Sequence, residues 1–430
     1  MLKKRKLLNL GVLFLMSTLF LTGCKKADDA NQQNDDQVTL IWWNLFESEE
    51  NVKPLIDGFK TKYPNVVIQY KQQGVNDGVP AYKNLLDTTL NDQDTINDPD
   101  IYTIENTWAK KYSGNITAAP NDVISADYLS DFYPIVKDDF IDTTVNAVPM
   151  YVDTLAVIYN KDKLIEAGYS VPDNEWSEFK TQAINLTKKD STNKIVSAGF
   201  AAADGDNVQF NFDIFSLLML QNDVALSDPA TFESLESNSE FADSVDFYRE
   251  LGSGMSWDQD QKLDVAAFLE GRLAMFIAPS WRLNDVLIYN EEYNLNLDIG
   301  IAPLPQLAGT DATYWGTYWG QTVSKNSPNS KIAWEFVKYI TEAEQLKTLD
   351  STVKENGRKV GIFYPRESMA GDISNDEYLK VYVQSMPFAK SWDMYDGYEV
   401  ELAFNEFFKE GNTDIKSFQS KITQIINPTE

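Results

Sequence analysis

Two residue types that carry much of enzyme chemistry are almost missing from this chain. Histidine is absent, and cysteine occurs once, at Cys24. Ser-His-Asp and Cys-His catalysis are therefore excluded, and so are zinc sites built on histidine or on several cysteines. An intrachain disulfide is also impossible. The side chains left for chemistry are carboxylates, lysine, tyrosine and serine.

Basic residues are scarce as well. The chain has 37 lysines and arginines against 65 aspartates and glutamates, and its formal net charge is −28. Such a surface repels nucleic acid and anionic lipid headgroups, so no nucleic-acid partner is expected. With 430 residues the chain is longer than one domain core requires, and two lobes are expected. Its ten tryptophans suit a protein that presents flat apolar faces to a ligand.

The amino terminus has the features of a secretory leader. A basic stretch at residues 3–6 precedes an apolar run at residues 7–21, which is too short to span a bilayer comfortably. The run ends in Leu21-Thr22-Gly23-Cys24, which resembles the bacterial lipobox, where the cysteine is lipidated. We expect a signal peptide at residues 1–23, a lipidated flexible tether at residues 24–37, and a location on the extracytoplasmic face of the cell membrane. The alternative is a cytosolic protein whose N-terminal membrane anchor merely contains a cysteine.

Alternating strand and helix patterns predict an α/β fold. The β-branched and aromatic run at residues 38–43 predicts a buried strand, the apolar spacing over residues 49–63 predicts a helix, and residues 66–70 predict the next strand. This order indicates a parallel unit. The same patterns predict further strands at residues 100–104, 154–159, 273–277 and 299–304, and helices at residues 161–167, 176–186, 265–270, 331–341 and in the tail after residue 372.

Several stretches, taken in order, resemble one protein family. They are LIWWN, FKTKYPNVVI, NDPDIYTIENTW, AVPMYVDTLAVIYNKDKLIEAG, AAFLEGRLAMFIAPSW, IGIAPLPQ, YWGTYWGQTVSKNSPNSKIAWEFVKYIT and FAKSWDMY. Together they cover most of residues 38–400 and stand behind the lipobox. In this order they resemble the extracellular solute-binding proteins of sugar-importing ABC transporters, the maltose-binding-protein type.

The resemblance implies a two-lobed periplasmic-binding-protein fold of type II, with the ligand in a cleft between the lobes. The implied lobes are residues 38–148 with 303–342, and residues 149–302 with 343–430. The segments VPMYVD and IAPLP would be crossovers between the lobes, where proline stiffens an extended connection. The resemblance also implies a membrane permease as partner, a monomer, and a binding protein without enzyme activity, cofactor or metal.

Polar side chains at strand ends are the first candidates for ligand contacts. A sugar offers hydroxyl groups to carboxylates and amides, and apolar C–H faces to aromatic rings. Asn44 and Glu47 follow the first predicted strand, and Glu105, Asn106 and Trp108 follow the strand at residues 100–104. Because ligands of open α/β sheets bind beyond the carboxyl ends of strands, these five residues are predicted to bind ligand. For Asn44 and Glu47 the alternative is a helix N-cap or a solvated loop.

The resemblance adds five further candidates. It places Asp153, with Tyr151 beside it, at a hinge-proximal acidic contact, although a hinge hydrogen bond would explain the aspartate equally well. It implies that Trp281, which ends an apolar strand, stacks on a sugar ring, and that Trp392 takes a second stacking position. Trp319 stands for the aromatic run at residues 314–319, of which one or two members are expected to line the cleft.

The favoured hypothesis is a transport receptor that binds a neutral sugar or oligosaccharide and closes its lobes on it. Neutral and acidic candidate residues favour a neutral sugar over a phosphorylated one. Two alternatives stay open: a secreted glycoside hydrolase that uses two carboxylates, and a lipoprotein that presents ligand to a sensor. The segment DGDNVQFN at residues 204–211 departs from the family pattern at a loop that supplies sugar contacts in some relatives, so the identity of the sugar is open.

Overall fold

The computed structural model describes residues 37–74, 78–91, 97–409 and 412–428. The predicted signal peptide, the predicted lipidation site Cys24 and the tether as far as residue 36 lie outside the described residues. Along the described ranges, no helix combines the length and the apolar character that crossing a membrane requires.

The strands follow the predicted order closely. In chain order they are β1 (Val38–Asn44), β2 (Val66–Gln72), β3 (Ile101–Glu105), β4 (Val148–Pro149), β5 (Leu155–Asn160), β6 (Lys188–Lys189), β7 (Ile195–Phe200), β8 (Leu273–Pro279), β9 (Ile299–Ala302), β10 (Tyr314–Trp315), β11 (Trp319–Val323) and β12 (Ala389–Lys390).

Most of these strands form two larger sheets. The first sheet has the order β2-β1-β3-β11-β4, and the second has the order β6-β7-β8-β5-β9. In the first sheet β1 runs parallel to β2 and β3, whereas β11 runs antiparallel to β3 and β4. In the second sheet β7 and β8 are parallel, and β5 is antiparallel to β8 and β9. The short strands β10 and β12 pair with each other.

Helices alternate with the strands. They are α1 (Glu49–Lys62), α2 (Gly78–Thr89), α3 (Ala109–Tyr112), α4 (Pro134–Phe140), α5 (Lys161–Glu166), α6 (Trp176–Leu186), α7 (Asn211–Gln221), α8 (Pro229–Phe232), α9 (Ser239–Gly252), α10 (Asp264–Leu269), α11 (Ser280–Glu292), α12 (Ser330–Ile340), α13 (Ala343–Glu355), α14 (Ala370–Ile373), α15 (Lys380–Ser385), α16 (Gly397–Phe407) and α17 (Ile415–Ile426).

Strand β1 and helix α1 show why the sequence folds in this way. Leu40 and Trp42 of β1 are fully buried, because helices cover the sheet. The following helix begins where Ser48 accepts a hydrogen bond from the backbone N–H of Asn51 at 3.3 Å, a typical N-cap. Its apolar residues recur at helical spacing, so one face of α1 packs on the sheet while the other meets solvent.

The chain passes between the two sheets at three places. The first crossover, residues 150–154, joins β4 to β5, and the second, residues 303–318, joins β9 to β11. They overlap the segments VPMYVD and IAPLP, at residues 148–153 and 301–305, which the resemblance assigned to crossovers. A third crossover, residues 356–366, follows α13 and runs beside the first, where the Val152 N–H donates to the Phe363 carbonyl at 3.0 Å. The predicted boundary at residue 342 falls between α12 and α13, and α13 packs on α1. The lobe boundaries stay a prediction.

Helices α7 and α11, which lie next to the cleft, were not predicted from the sequence. The strand predicted at residues 273–277 extends to Pro279, and α11 follows it without an intervening loop. A proline at the end of a strand usually indicates a turn. Pro279, however, has an extended conformation that suits the residue before a helix. Trp281, expected at a strand end, therefore lies in the first turn of a helix.

Candidate ligand-binding cleft

A cleft of about 670 Å³ lies at the three crossovers and is bordered by loops of both sheets. Its volume is within the range of clefts that hold small molecules. The first sheet contributes the loop after β1 and the end of β3, and the second contributes the start of α7 and the start of α11. Helix α16 lines a further side.

Six of the ten residues predicted to bind ligand line this cleft. They come from separate parts of the chain, which the fold brings together: Glu47, Glu105, Tyr151, Asp153, Trp281 and Trp319.

Trp281 is the most exposed of the lining aromatic residues named among the candidates. Its side chain is 49% exposed, although a large apolar ring is normally buried. Phe210 supports it edge-on at 5.6 Å between ring centroids, and the guanidinium carbon of Arg282 lies 4.5 Å from the ring centroid. The Trp281 ring therefore offers apolar surface to a ligand from a supported position.

Trp319 differs from Trp281 because it is packed by other rings. It is 8% exposed and contacts Phe46 at 5.2 Å and Trp108 at 4.9 Å, both edge-on. Trp108, another candidate, is fully buried behind Trp319 and does not line the cleft. Its place is that of a support for Trp319.

Trp392 lies away from the cleft. It is 3% exposed and stacks on Phe232 of α8, with ring centroids 5.0 Å apart and planes 20° apart. Its ring is therefore used in packing within the protein and does not form the second stacking surface that the resemblance implied.

The two candidate asparagines are buried and do not line the cleft. Asn44 is fully buried, and its Oδ1 accepts the backbone N–H of Leu45 at 2.8 Å. Asn106 donates to Asp139 at 2.9 Å and accepts the backbone N–H of Tyr318 at 3.2 Å. Both lie at strand ends as predicted, but Asn106 joins the first sheet to the second crossover and does not line the cleft.

Glu47 reaches the cleft as one half of an ion pair. It is 1% exposed, lies 3.0 Å from the guanidinium of Arg358 in the third crossover, and accepts from Asn51 at 2.8 Å. A carboxylate buried to this extent needs such compensation. The charge of Glu47 is therefore balanced within the protein, and Arg358 is a lining residue that sequence reasoning missed.

Besides Asp153, which only accepts hydrogen bonds, three other carboxyl groups in the cleft lack a positive partner among the described residues. Glu105, Asp213 and Glu401 line it, and none of them forms an ion pair with a described lysine or arginine. Burial and mutual repulsion raise the pKa of Glu401 to about 8 and hold the pKa of Glu105 well above its usual range. Burial also raises the pKa of Asp213 to about 6, although Trp315 and Thr317 donate hydrogen bonds to it at 2.7 and 3.0 Å. At neutral pH part of this acidic cluster is protonated, so it carries less charge than its composition suggests.

Two members of the acidic cluster were missed in the sequence, for different reasons. Asp213 lies just beyond the segment at residues 204–211 that departed from the family pattern, and Gln209 within that segment does line the cleft. That departure was the available signal. Glu401 and its neighbours Tyr398 and Leu402 lie on α16, in a helical tail without any motif that points to a ligand.

The described residues contain no group of three or more acidic, histidine or cysteine side chains arranged to hold a metal ion. What the cleft does offer is exposed aromatic surface, carboxyl groups with raised pKa, and walls from both sheets. Such a site can bind a polar, uncharged molecule with apolar faces, and can do so without chemistry.

Comparison with known proteins agrees with this architecture. The sequence profile of the family described as bacterial extracellular solute-binding protein matches residues 46–347. The chain therefore belongs to this family. The sugar-binding protein MalE from Xanthomonas citri has a similar structure, with a TM-score of 0.71, 19% identity, and coverage of 90% of this chain and 97% of that chain. The predicted two-lobed α/β fold is confirmed by this similarity.

Two curated relatives match a smaller share of this chain. A maltotriose-binding protein of Pyrococcus abyssi is 22% identical over 309 residues, which cover 70% of this chain but only 62% of that protein. A multiple sugar-binding protein of Streptococcus mutans is 23% identical over 363 residues, 79% of each protein.

Proposed function

We propose that this member of the family captures a neutral sugar or oligosaccharide outside the cytoplasm and delivers it to the permease of an ABC importer. One observation carries the proposal: the half-exposed Trp281 ring shares a cleft with the acidic cluster Glu105, Asp213 and Glu401. Aromatic rings suit the C–H face of a sugar, and carboxyl groups suit adjacent hydroxyls. The names of the two curated relatives support a sugar in particular.

The raised pKa values support an uncharged ligand. A protonated carboxyl group both donates and accepts hydrogen bonds, as a sugar hydroxyl does. Since the pKa of Glu401 is raised to about 8, this group is mainly protonated at pH 7. A phosphorylated sugar would have to bind beside Asp213 and Glu105. Among the described residues, the only cation that lines the cleft is Arg358, and it is already paired with Glu47. The charge distribution therefore disfavours anionic ligands.

The proposed mechanism is closure of the lobes. The cleft takes walls from both sheets, so a ligand that contacts both favours the closed state by the contacts available only there. Anchoring through lipidated Cys24 would keep the receptor, as a monomer, at the extracytoplasmic membrane surface beside its permease. The lipid anchor, the monomeric state and the permease are proposed from the sequence, because Cys24 lies outside the described residues.

A glycoside hydrolase is the second candidate, and the acidic cluster is the observation in its favour. Retaining and inverting hydrolases use a carboxylic acid of raised pKa together with a second carboxylate. Glu401 could supply the acid, and Asp213, whose pKa of about 6 leaves it mainly ionised at pH 7, could supply the carboxylate. The family is one of binding proteins, so we place this function second, and the test must therefore follow the fate of the sugar.

The test is a panel of mono- and oligosaccharides screened by thermal shift on residues 38–430, with hits quantified by calorimetry. A sugar that binds the folded state raises the melting temperature as its concentration rises. We expect a hit to be recovered chemically unchanged. Recovery of cleaved sugar would establish the hydrolase, and no shift with any sugar would reject a carbohydrate ligand.

For such a hit, Trp281→Ala is expected to weaken affinity about 10- to 50-fold, because it removes a stacking surface worth roughly 1.4–2.3 kcal/mol. Tyr293→Ala is the matched control, since Tyr293 is a 62% exposed aromatic residue at the other end of α11. It should leave affinity unchanged within about twofold. Equal affinity of the Trp281→Ala variant and the native protein would contradict the proposed site.

A further inference from the structure

Asp153 makes four hydrogen bonds that leave its carboxylate no room for a ligand. Its Oδ1 accepts the backbone N–H groups of Thr154 at 2.9 Å and Ser280 at 3.1 Å. Its Oδ2 accepts the Ser280 hydroxyl at 2.7 Å and the Trp281 backbone N–H at 3.3 Å. A carboxylate offers about four lone-pair sites, and these donors occupy that number. The side chain is also only 9% exposed.

Three of those four donors belong to the first turn of α11. The first N–H groups of a helix have no partner within the helix, and Asp153 supplies one from a different part of the chain. Its negative charge also lies at the positive end of the helix dipole. Asp153 itself belongs to the first crossover, so its carboxylate links a segment between the lobes to the turn that carries Trp281.

Helix α11 is also hydrogen-bonded to the third crossover. Asn284, one turn after Trp281, accepts the backbone N–H groups of Lys359 at 2.8 Å and Val360 at 3.2 Å through its Oδ1. Lys359 and Val360 belong to the third crossover. The first turns of α11 are thus bonded to two of the three segments that must flex when the lobes close.

We infer that Asp153 is a positioning residue, which sets the Trp281 ring relative to the first crossover and acts on ligand affinity only through that ring. This inference rests on the proposed function for the identity of the ligand. It departs from the sequence-based expectation that Asp153 contacts the sugar, and it selects the hinge hydrogen bond that was the alternative. Lobe movement at residues 150–154 would then move the ring with the crossover.

A double-mutant cycle separates the two roles. The dissociation constant of a sugar from the panel is measured for the native protein, Asp153→Asn, Trp281→Ala and the double variant. The amide replaces Oδ2 or Oδ1 by a donor that faces the α11 N–H groups, so Asp153→Asn should weaken binding about 5- to 20-fold. In the Trp281→Ala background the same change should alter binding less than twofold, because the ring through which it acts is gone.

A direct contact would give the opposite pattern. Asp153→Asn would then weaken binding by a similar factor in both backgrounds, and the inference would be overturned. It would also be overturned if Asp153→Asn left the affinity of the native background unchanged. Asp298→Asn is the matched control, since Asp298 is an exposed carboxylate paired with Lys161 at 2.8 Å. If Asp153→Asn does not fold, Ser280→Ala removes one of the four bonds and should show the same dependence on Trp281 with a loss of about two- to threefold.

A ligand-free measurement keeps the inference testable even if no sugar binds. The protein is labelled with 5-fluorotryptophan, and the ¹⁹F resonance of Trp281 is assigned by its loss in Trp281→Phe. Asp153→Asn should shift or broaden this resonance, and Asp298→Asn should not. An unchanged Trp281 resonance in Asp153→Asn would overturn the positioning role, whereas absence of sugar binding would reject the proposed function alone.

Discussion

Replacing Asp396 with alanine is expected to lower the free energy of unfolding by about 3 kcal/mol, as loss of one partner of a buried ion pair does. Asp396 is 6% exposed and lies directly before α16. One of its carboxylate oxygens lies 3.1 Å from the ammonium of Lys83 and 2.8 Å from that of Lys111. Its other oxygen accepts the backbone N–H of Glu399 and so caps the helix.

Four charges lie close together in this network, and Glu399, which is about half exposed, adds a more distant carboxylate 3.9 Å from Lys83. Asp87 of α2 is the second carboxylate, 3.1 Å from Lys83 and 2.8 Å from Lys111. Burial opposes the charge of Asp87, but hydrogen bonds from Lys111, Tyr112 and Lys83 outweigh it and lower the pKa of that carboxyl group. Without Asp396, the two ammonium groups would keep Asp87 and only the more distant, more exposed Glu399, and Lys83 is only 5% exposed. The uncompensated charge, more than the lost attraction, causes the expected destabilisation.

Urea unfolding of the native protein and the variant measures this effect. Asp393→Ala is the control, because Asp393 is three residues away and pairs with Lys110 at 3.3 Å with both side chains about half exposed or more. Exposed pairs contribute about 0–1 kcal/mol, so this control should be nearly neutral. Adding Lys83→Met to Asp396→Ala should recover part of the stability, since it removes the excess charge. Equal effects of Asp396→Ala and Asp393→Ala would show that the network is not a stabilising element.

Helix α16 connects the charged network at Asp396 to the cleft. Its first residue approaches the first sheet so closely that a Cβ on Gly397 would lie 2.1 Å from the Thr107 hydroxyl. Farther along, Phe404 packs on Phe212 of α7, which belongs to the second sheet's side. The helix therefore bridges both sides of the cleft, and the network at Asp396 fixes the end that carries Tyr398 and Glu401.

Local sequence patterns predicted six of the twelve strands in the described residues and several of the helices. The predicted helix at residues 176–186 has the observed bounds of α6, and Gly168 and Gly271 end their helices with positive φ as such residues do. The family resemblance supplied the crossovers, which periodicity cannot indicate because they have no regular structure. The missed helix α11 shows the limit: a proline after an apolar strand is compatible with a turn or with a helix start, and only tertiary contacts at Asp153 select the helix.

The candidate site could be predicted only in part, because the sequence indicates strand ends but not the direction of side chains. Trp281 and Trp392 both follow a serine after a short apolar stretch, yet one is 49% exposed at the cleft and the other is 3% exposed against Phe232. Their difference depends on α8, which lies far from both in sequence. Arg358 and Glu401 were missed for a related reason, since each reaches the cleft from a segment whose neighbours in space are distant in the chain.

Glu401→Gln is expected to stabilise the protein at alkaline pH, by up to about 5 kcal/mol, while leaving it almost unchanged near pH 4. The pKa of Glu401 is raised to about 8 by burial and by repulsion from Asp213. In the unfolded chain a glutamate titrates near 4.3. Between these two values the folded state binds more protons than the unfolded state, so this group's contribution to stability falls as pH rises from about 4 through about 8. Glutamine keeps the shape of the protonated acid and never carries the charge.

The same substitution tests the proposed ligand chemistry. Near pH 7 the native Glu401 is mainly protonated, so Glu401→Gln should bind a sugar about as well as the native protein does. At pH 9 the native cleft carries a further negative charge beside Asp213 and Glu105, and the variant should then be the tighter binder. Thermal unfolding and calorimetry at pH 5, 7 and 9 measure both effects. The ligand must be uncharged across this range for the comparison to report on the cleft.

Glu406→Gln provides the control on the same helix. Glu406 is exposed and pairs with Lys409 at 3.0 Å, so its loss should change stability by less than about 0.5 kcal/mol at every pH. The difference between the two variants should therefore grow with pH and level off above the pKa of Glu401. A difference that stays constant from pH 5 to pH 9 would mean that Glu401 is charged throughout and solvated. The acidic cluster would then be an ordinary negative surface of the cleft, and the argument for an uncharged ligand would lose its electrostatic basis.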